Sequence, residues 1–179
     1  MQAENPSSKK TGFIKADAGK GCSPSLIPVK FRLGLRNVAA MQEWYTDNVD
    51  FDDVYGAVEG YETGSNHWIL IDAAFKLGQL NGYQSLAHYL WGIAEVMDMG
   101  AKKYSRDNWM KCDYDERYRY LDAFYRHAYA MQMGEVLDQE SGKPHAAHAA
   151  CCLAMLHGII EIKKRGARAN PQPESRVLY

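Results

Sequence analysis

Apolar positions recur at helical spacing along most of the chain. Leu35, Val38, Met41, Trp44 and Tyr45 predict a helix over residues 35–48. A second is expected over 66–79, opened by a cap at Ser65 or Asn66. Residues 83–104 carry the clearest pattern. Leu86, Leu90, Ile93, Met97 and Ala101 share one face, and His88, Trp91, Glu95, Asp98 and Lys102 fall opposite. A fourth helix is predicted over 114–134, with Tyr120, Leu121, Phe124, Ala128 and Met131 inward, Asp122, Arg126 and Tyr129 outward, and His127 at the edge. The last, 144–164, has Pro144 in its first turn and is apolar nearly all round, so it should be central; Gly166 is expected to stop it. Residues 50–65 are acidic and contain Gly56, Gly60 and Gly64, which reads as a loop. No segment alternates with period two. The pattern predicts an all-α fold, a compact bundle of four or five helices. A single domain is expected over 12–166, between a polar N-terminus (1–11) and a tail (167–179) with two prolines.

Composition narrows the function without naming it. The 179 residues carry 21 Lys+Arg against 22 Asp+Glu, a net charge of −1, which argues against a nucleic-acid-binding surface. With 46% hydrophobic residues the chain can bury a core. No apolar run approaches a membrane span, and the N-terminus lacks a secretory pattern. Cys22, Cys112, Cys151 and Cys152 form no Cys-x-x-Cys pair, and a reduced, cytoplasmic setting is expected.

Several constellations could carry chemistry. Glu95 and Asp98, three apart on one helix, could share a divalent cation, although any solvated helix can offer such a pair. Glu135, Asp138 and Glu140 follow a helix end, where the dipole disfavours anions and a cation would resolve the conflict. Lys102, Lys103 and Arg106 sit beyond Glu95 and could clamp phosphate oxygens, or simply complement a helix C-terminus. Tyr104 and Trp109 could stack on a base. His127, His145 and His148 read as buried, satisfied histidines or as ligands. Lys20, flanked by glycines, could reach a phosphate, but it is not part of a Walker A loop. No Glu-x-x-His occurs, so a ferritin-like di-iron site is not expected.

Together the segments Asp17-Ala-Gly-Lys20, Ser25-Leu-Ile-Pro28, Ala94-Glu-Val-Met-Asp-Met-Gly-Ala-Lys-Lys-Tyr104, Asn108-Trp109, Tyr120-Leu-Asp-Ala-Phe-Tyr-Arg-His127, Gly134-Glu-Val-Leu-Asp-Gln-Glu-Ser-Gly142 and Pro144-His-Ala-Ala-His-Ala149 resemble the phage dATP/dGTP diphosphohydrolases, including those of the MazZ type. That group is MazG-like: all-α nucleoside triphosphate pyrophosphohydrolases that use acidic helices and divalent metal. The resemblance covers most of 13–28 and 90–162. Residues 29–85 match poorly and read as an insertion, and the Glu-x-x-Glu then Glu-x-x-Asp pattern of MazG is not cleanly present.

The resemblance implies hydrolysis of a purine (d)NTP, dGTP or dATP, to monophosphate and pyrophosphate. Glu95, Asp98, Glu135 and Asp138 would hold two or three Mg²⁺ or Mn²⁺ ions. Asp122 would orient the attacking water, and His127 would orient a ligand. Lys20, Lys102, Lys103 and Arg126 would neutralise the triphosphate. Tyr104, Asn108 and Trp109 would form the base pocket. A homo-oligomer, dimer or tetramer, is expected, in the host cytoplasm if the chain is phage-encoded. The alternatives are hydrolysis of a damaged or modified nucleotide, and a non-catalytic helical module that binds nucleotide or protein.

Overall fold

The computed structural model describes residues 21–42, 44 and 48–169. Among these residues there are six α-helices: α1 (Val29–Met41), α2 (Phe51–Glu62), α3 (Ile69–Leu80), α4 (Leu86–Tyr104), α5 (Tyr118–Gln132) and α6 (His145–Ala169). Short 3-10 turns at Pro24–Leu26, Asn108–Lys111 and Tyr114–Glu116 link them. The described residues contain no strand, only an isolated bridge between Leu137 and Pro144. The fold is all-α, as the periodicity predicts.

The central position of α6 follows from its sequence. Ala146, Ala147, Ala149, Ala150, Leu153, Ala154 and Leu156 are buried, and the helix packs against α1, α3, α4 and α5. The run His145–Arg168 is long and apolar enough to cross a membrane, but 72% of its apolar stretch is buried in the fold, as befits a core helix. It continues past Gly166, contrary to expectation. One glycine costs a helix only about 1 kcal/mol relative to alanine, and the next proline is Pro171. Pro144 precedes the helix, and its carbonyl accepts from the Ala147 and His148 amides.

The largest departure from the periodicity is α2, where a loop is expected. Asp50 and Asp53 form a reciprocal cap: the Asp50 carboxylate accepts from the Asp53 amide at 3.0 Å, and the Asp53 carboxylate from the Asp50 amide at 3.2 Å. Gly56 lies on the exposed face, while Val54, Ala57 and Val58 are buried. The helix therefore keeps an apolar stripe despite its glycines. It ends before Gly64, whose φ of +108° suits only glycine.

Ser85 caps α4, and Tyr89 is its largest fully buried side chain, donating from its hydroxyl to the Ala74 carbonyl at 2.7 Å. Residues 29–85, expected as an insertion, supply α1, α2 and α3, with Phe31, Leu35, Val58 and Phe75 in the core.

Candidate functional site

The end of α4 builds one wall of a cleft. Ser105 and Asp107 adopt φ of +88° and +58°, the left-handed region that non-glycine residues rarely occupy. This tight turn swings Asn108 and Trp109 back over α6. Trp109 seats against Gly158, where a Cβ would come within 2.6 Å of its ring. The indole is buried, and its Nε1 has no hydrogen-bond partner. Lys103, Tyr104, Asn108 and Trp109 line the cleft from this side, and Asp138, Ser141 and His148 from the other. Its volume is about 320 Å³, at the lower end of small-molecule sites. Tyr104, Asn108, Tyr120 and Cys152 also line a second cavity of about 720 Å³, which carries Lys111, Arg119, Arg126 and Asp122. The two cavities lie side by side through these shared residues, with the aromatic rings concentrated in the first and three cations beside Glu116 and Asp122 in the second, where Arg119 stands 3.8 Å from Glu116.

The loop after α5 holds Asp138. Gly134, at φ +91°, turns the chain out of the helix. The Asp138 amide then donates to the Lys143 carbonyl at 2.9 Å, and the Gly142 amide to the Asp138 carbonyl at 2.7 Å. The Ser141 amide donates to the Asp138 carboxylate at 2.9 Å, while the Ser141 hydroxyl pairs with His148 Nε2 at 2.7 Å.

Three histidines gather at this loop. His127 from α5 and His145 from α6 share a hydrogen bond between their Nδ1 atoms at 2.8 Å, and His127 stacks on His148 at 4.6 Å. Burial, reinforced by repulsion from His148 and His145, pushes His127 down to about 4. Burial also lowers His148. Burial would raise Asp138, but hydrogen bonds from Ser141 outweigh it and hold the carboxyl below its ordinary range. At neutral pH these two imidazoles are uncharged beside an ionised carboxylate, the state metal ligands require.

One ligand atom each from His127, Asp138 and His145 lies within 4.8 Å of the others. His145 Nε2 is buried without a hydrogen-bond partner, and Glu135 Oε2 stands 3.8 Å away. An orphaned ring nitrogen facing a carboxylate fits a metal ligand. Two imidazoles with a carboxylate suit Mn²⁺ or Zn²⁺ better than Mg²⁺, which prefers oxygen.

Among the described residues, Glu95, Asp98, Glu135 and Asp138 do not bring their carboxylate oxygens within 4.8 Å of one another as one set. Glu95 pairs with Lys143 at 3.1 Å, and Asp98 with Lys102 at 2.7 Å. Among the described residues, the carboxylate that joins a three-ligand group at this end is Asp138, and its companions are histidines. The loop after α5 presents the Lys143 ammonium to Glu95 and the Glu140 carboxylate to Lys103, so ion pairs join it to the polar face of α4. Glu135 is exposed, and its carboxylate stands 3.8 Å from His145 Nε2. Lys102 is engaged by Asp98, and Lys103 reaches Glu140 at 3.4 Å. Asp122 and Arg126 line the cationic cavity, and the Arg126 charge is close enough to act on His127. Tyr104, Asn108 and Trp109 meet in one cleft, with Trp109 as its floor. Lys20 lies outside the described residues. Ser141 and Tyr120 join the site unassigned by the sequence, and His145 and His148, three apart on one helix and left open between satisfied core histidines and ligands, join it as well.

Fold and site define a class: an all-α domain with a histidine–aspartate group beside an aromatic cavity and an adjoining cationic one. A family model described as dATP/dGTP diphosphohydrolase, N-terminal, matches residues 73–169. The chain belongs to this family, and the match spans most of α3 and all of α4, α5 and α6. Over 68 residues it is 35% identical to a protein named dATP/dGTP diphosphohydrolase from Salmonella phage PMBT28. That alignment covers 38% of this chain and 22% of the phage protein, so the chain spans about a fifth of that relative's length. No solved structure matches the chain.

Proposed function

We propose that the chain hydrolyses purine deoxynucleoside triphosphates, dATP or dGTP, to the monophosphate and pyrophosphate. The observation that carries this reading is the pair of adjoining cavities, the aromatic one suiting a base and the cationic one a polyphosphate. Family membership and the phage relative's name point the same way.

Each residue then has a defined task. Tyr104 and Tyr120 flank the base, with Trp109 beneath it. The Asn108 amide can donate and accept along a purine edge. Arg126, Arg119 and Lys111 neutralise phosphate oxygens, which the acidic loop would otherwise repel. Asp122, in the same cavity, accepts a proton from the attacking water. Asp138, His127 and His145 would hold a divalent ion, which when bound offsets phosphate charge and makes a water more acidic. Ser141 and His148 fix the Asp138 carboxylate in place.

The test is turnover of dGTP and dATP with and without Mn²⁺, for the wild type and for Glu95→Gln and Asp138→Asn. Loss in Asp138→Asn with activity retained in Glu95→Gln supports the histidine–aspartate site. The converse places the metal on α4. A second reading, a non-catalytic nucleotide-binding module, is favoured by the way Glu95 and Asp98 are neutralised within the chain. It predicts no Mn²⁺-dependent thermal shift with nucleotide, whereas the enzyme is stabilised by both together.

A further inference from the structure

A second group of ligating side chains lies apart from the cleft, where α1, the turn before α3, and α6 meet. His157 and Glu161 stand one turn apart on α6, and His67 precedes α3. One ligand atom from each lies within 4.8 Å of the others. His67 Nε2 meets Glu161 Oε1 at 2.8 Å, Lys30 pairs with the other Glu161 oxygen, and the Lys164 ammonium donates to His67 Nδ1 at 2.9 Å.

His157 has no such partners. It is fully buried, and neither ring nitrogen has a hydrogen bond. Its walls are the rings of Phe31 at 5.9 Å, Trp68 at 4.9 Å and His67 at 4.9 Å. An imidazole with two unsatisfied nitrogens is a poor core residue, because leucine or phenylalanine would fill the space without burying polar atoms. The ring is explained if one nitrogen serves as a ligand.

We propose that His67, His157 and Glu161 form a second metal site, structural in role and selective for a divalent transition-metal ion of the zinc class. Two imidazoles and a carboxylate are a donor set that zinc favours and that magnesium or calcium does not. Lys30 and Lys164 reach solvent and can release the site: the ion replaces Lys30 as the countercharge of Glu161, and Lys164 gives up its contact with His67 Nδ1. A bound ion ties α6 to the start of α3. None of these residues lines either cavity, so the site stands independently of the nucleotide reading.

The experiment is titration of chelator-stripped full chain with Co²⁺ and with Zn²⁺, followed by calorimetry and visible absorption. The wild type should bind one equivalent that His157→Phe lacks and that Glu161→Gln binds at least tenfold more weakly. Asp138→Asn should keep that equivalent, which separates this site from the one beside the cleft. Zn²⁺ should raise Tm in the wild type, and this equivalent's share of the rise should vanish in His157→Phe. A folded His157→Phe with wild-type stoichiometry and shift overturns the proposal. If that variant does not fold, unchanged affinity in Glu161→Gln overturns it.

Discussion

His127 and His145 share a 2.8 Å hydrogen bond beside a carboxylate that Ser141 holds ionised. Replacing Asp138 by asparagine keeps the shape of the loop and removes the charge. We predict a loss of dGTP turnover of about 10²-fold or more, with unchanged helical circular dichroism; losing even the outer partner of a metal ligand costs 10–100-fold. Protonation gives a second prediction. His127 is neutral in the fold down to about 4, against an ordinary value of 6.5, and His157 behaves alike. Between those values the unfolded chain binds protons that the folded chain refuses. Stability is therefore complete above pH 6.5 and declines as pH falls towards 4. In EDTA, Tm should fall steadily over that window, less steeply in His127→Phe; a flat profile contradicts the burial argument. Residue types carried much of this site into view. Asp138, His127, Tyr104, Asn108 and Trp109 stand out in the sequence and meet around the cleft or the histidine group. The 2.8 Å pairing of His127 with His145 did not, because it depends on how residues 133–144 fold back. The same loop brings Lys143 to Glu95, which helical spacing alone cannot show.

At the level of elements, periodicity located α3, α4, α5 and α6 to within a few residues. It missed α2, because an acidic, glycine-bearing stretch imitates a loop. The corrective signal was the Asp50-x-x-Asp53 cap, which satisfies two otherwise orphaned amides. Asp50→Ala should destabilise the fold by about 1 kcal/mol in urea unfolding. A loss near zero would mean that α2 is held by packing alone. The contact between Trp109 and α6 makes a sharper prediction. A Cβ at Gly158 would lie 2.6 Å from the indole, so Gly158→Val should cost about 1–3 kcal/mol and shift Trp109 fluorescence. Because Trp109 floors the cleft, nucleotide affinity should fall with it. Unchanged fluorescence and affinity would remove Trp109 from the pocket.

Across the whole molecule, a net charge of −1 conceals a separation. Acids gather at 135–140, and Lys111, Arg119 and Arg126 outnumber Glu116 and Asp122 in the cavity beside the cleft. That separation suits a substrate with a polyphosphate at one end and a flat base at the other. The helices that create it all lie within the family match, residues 73–169, while α1 and α2 complete the core around them. The central claim is cleavage of a purine deoxynucleoside triphosphate between its α and β phosphates. It is tested most directly by incubating the full chain with dGTP and Mn²⁺ and resolving the products by anion exchange. The account predicts dGMP and pyrophosphate in equal amounts; dGDP with phosphate, or intact dGTP, would contradict it.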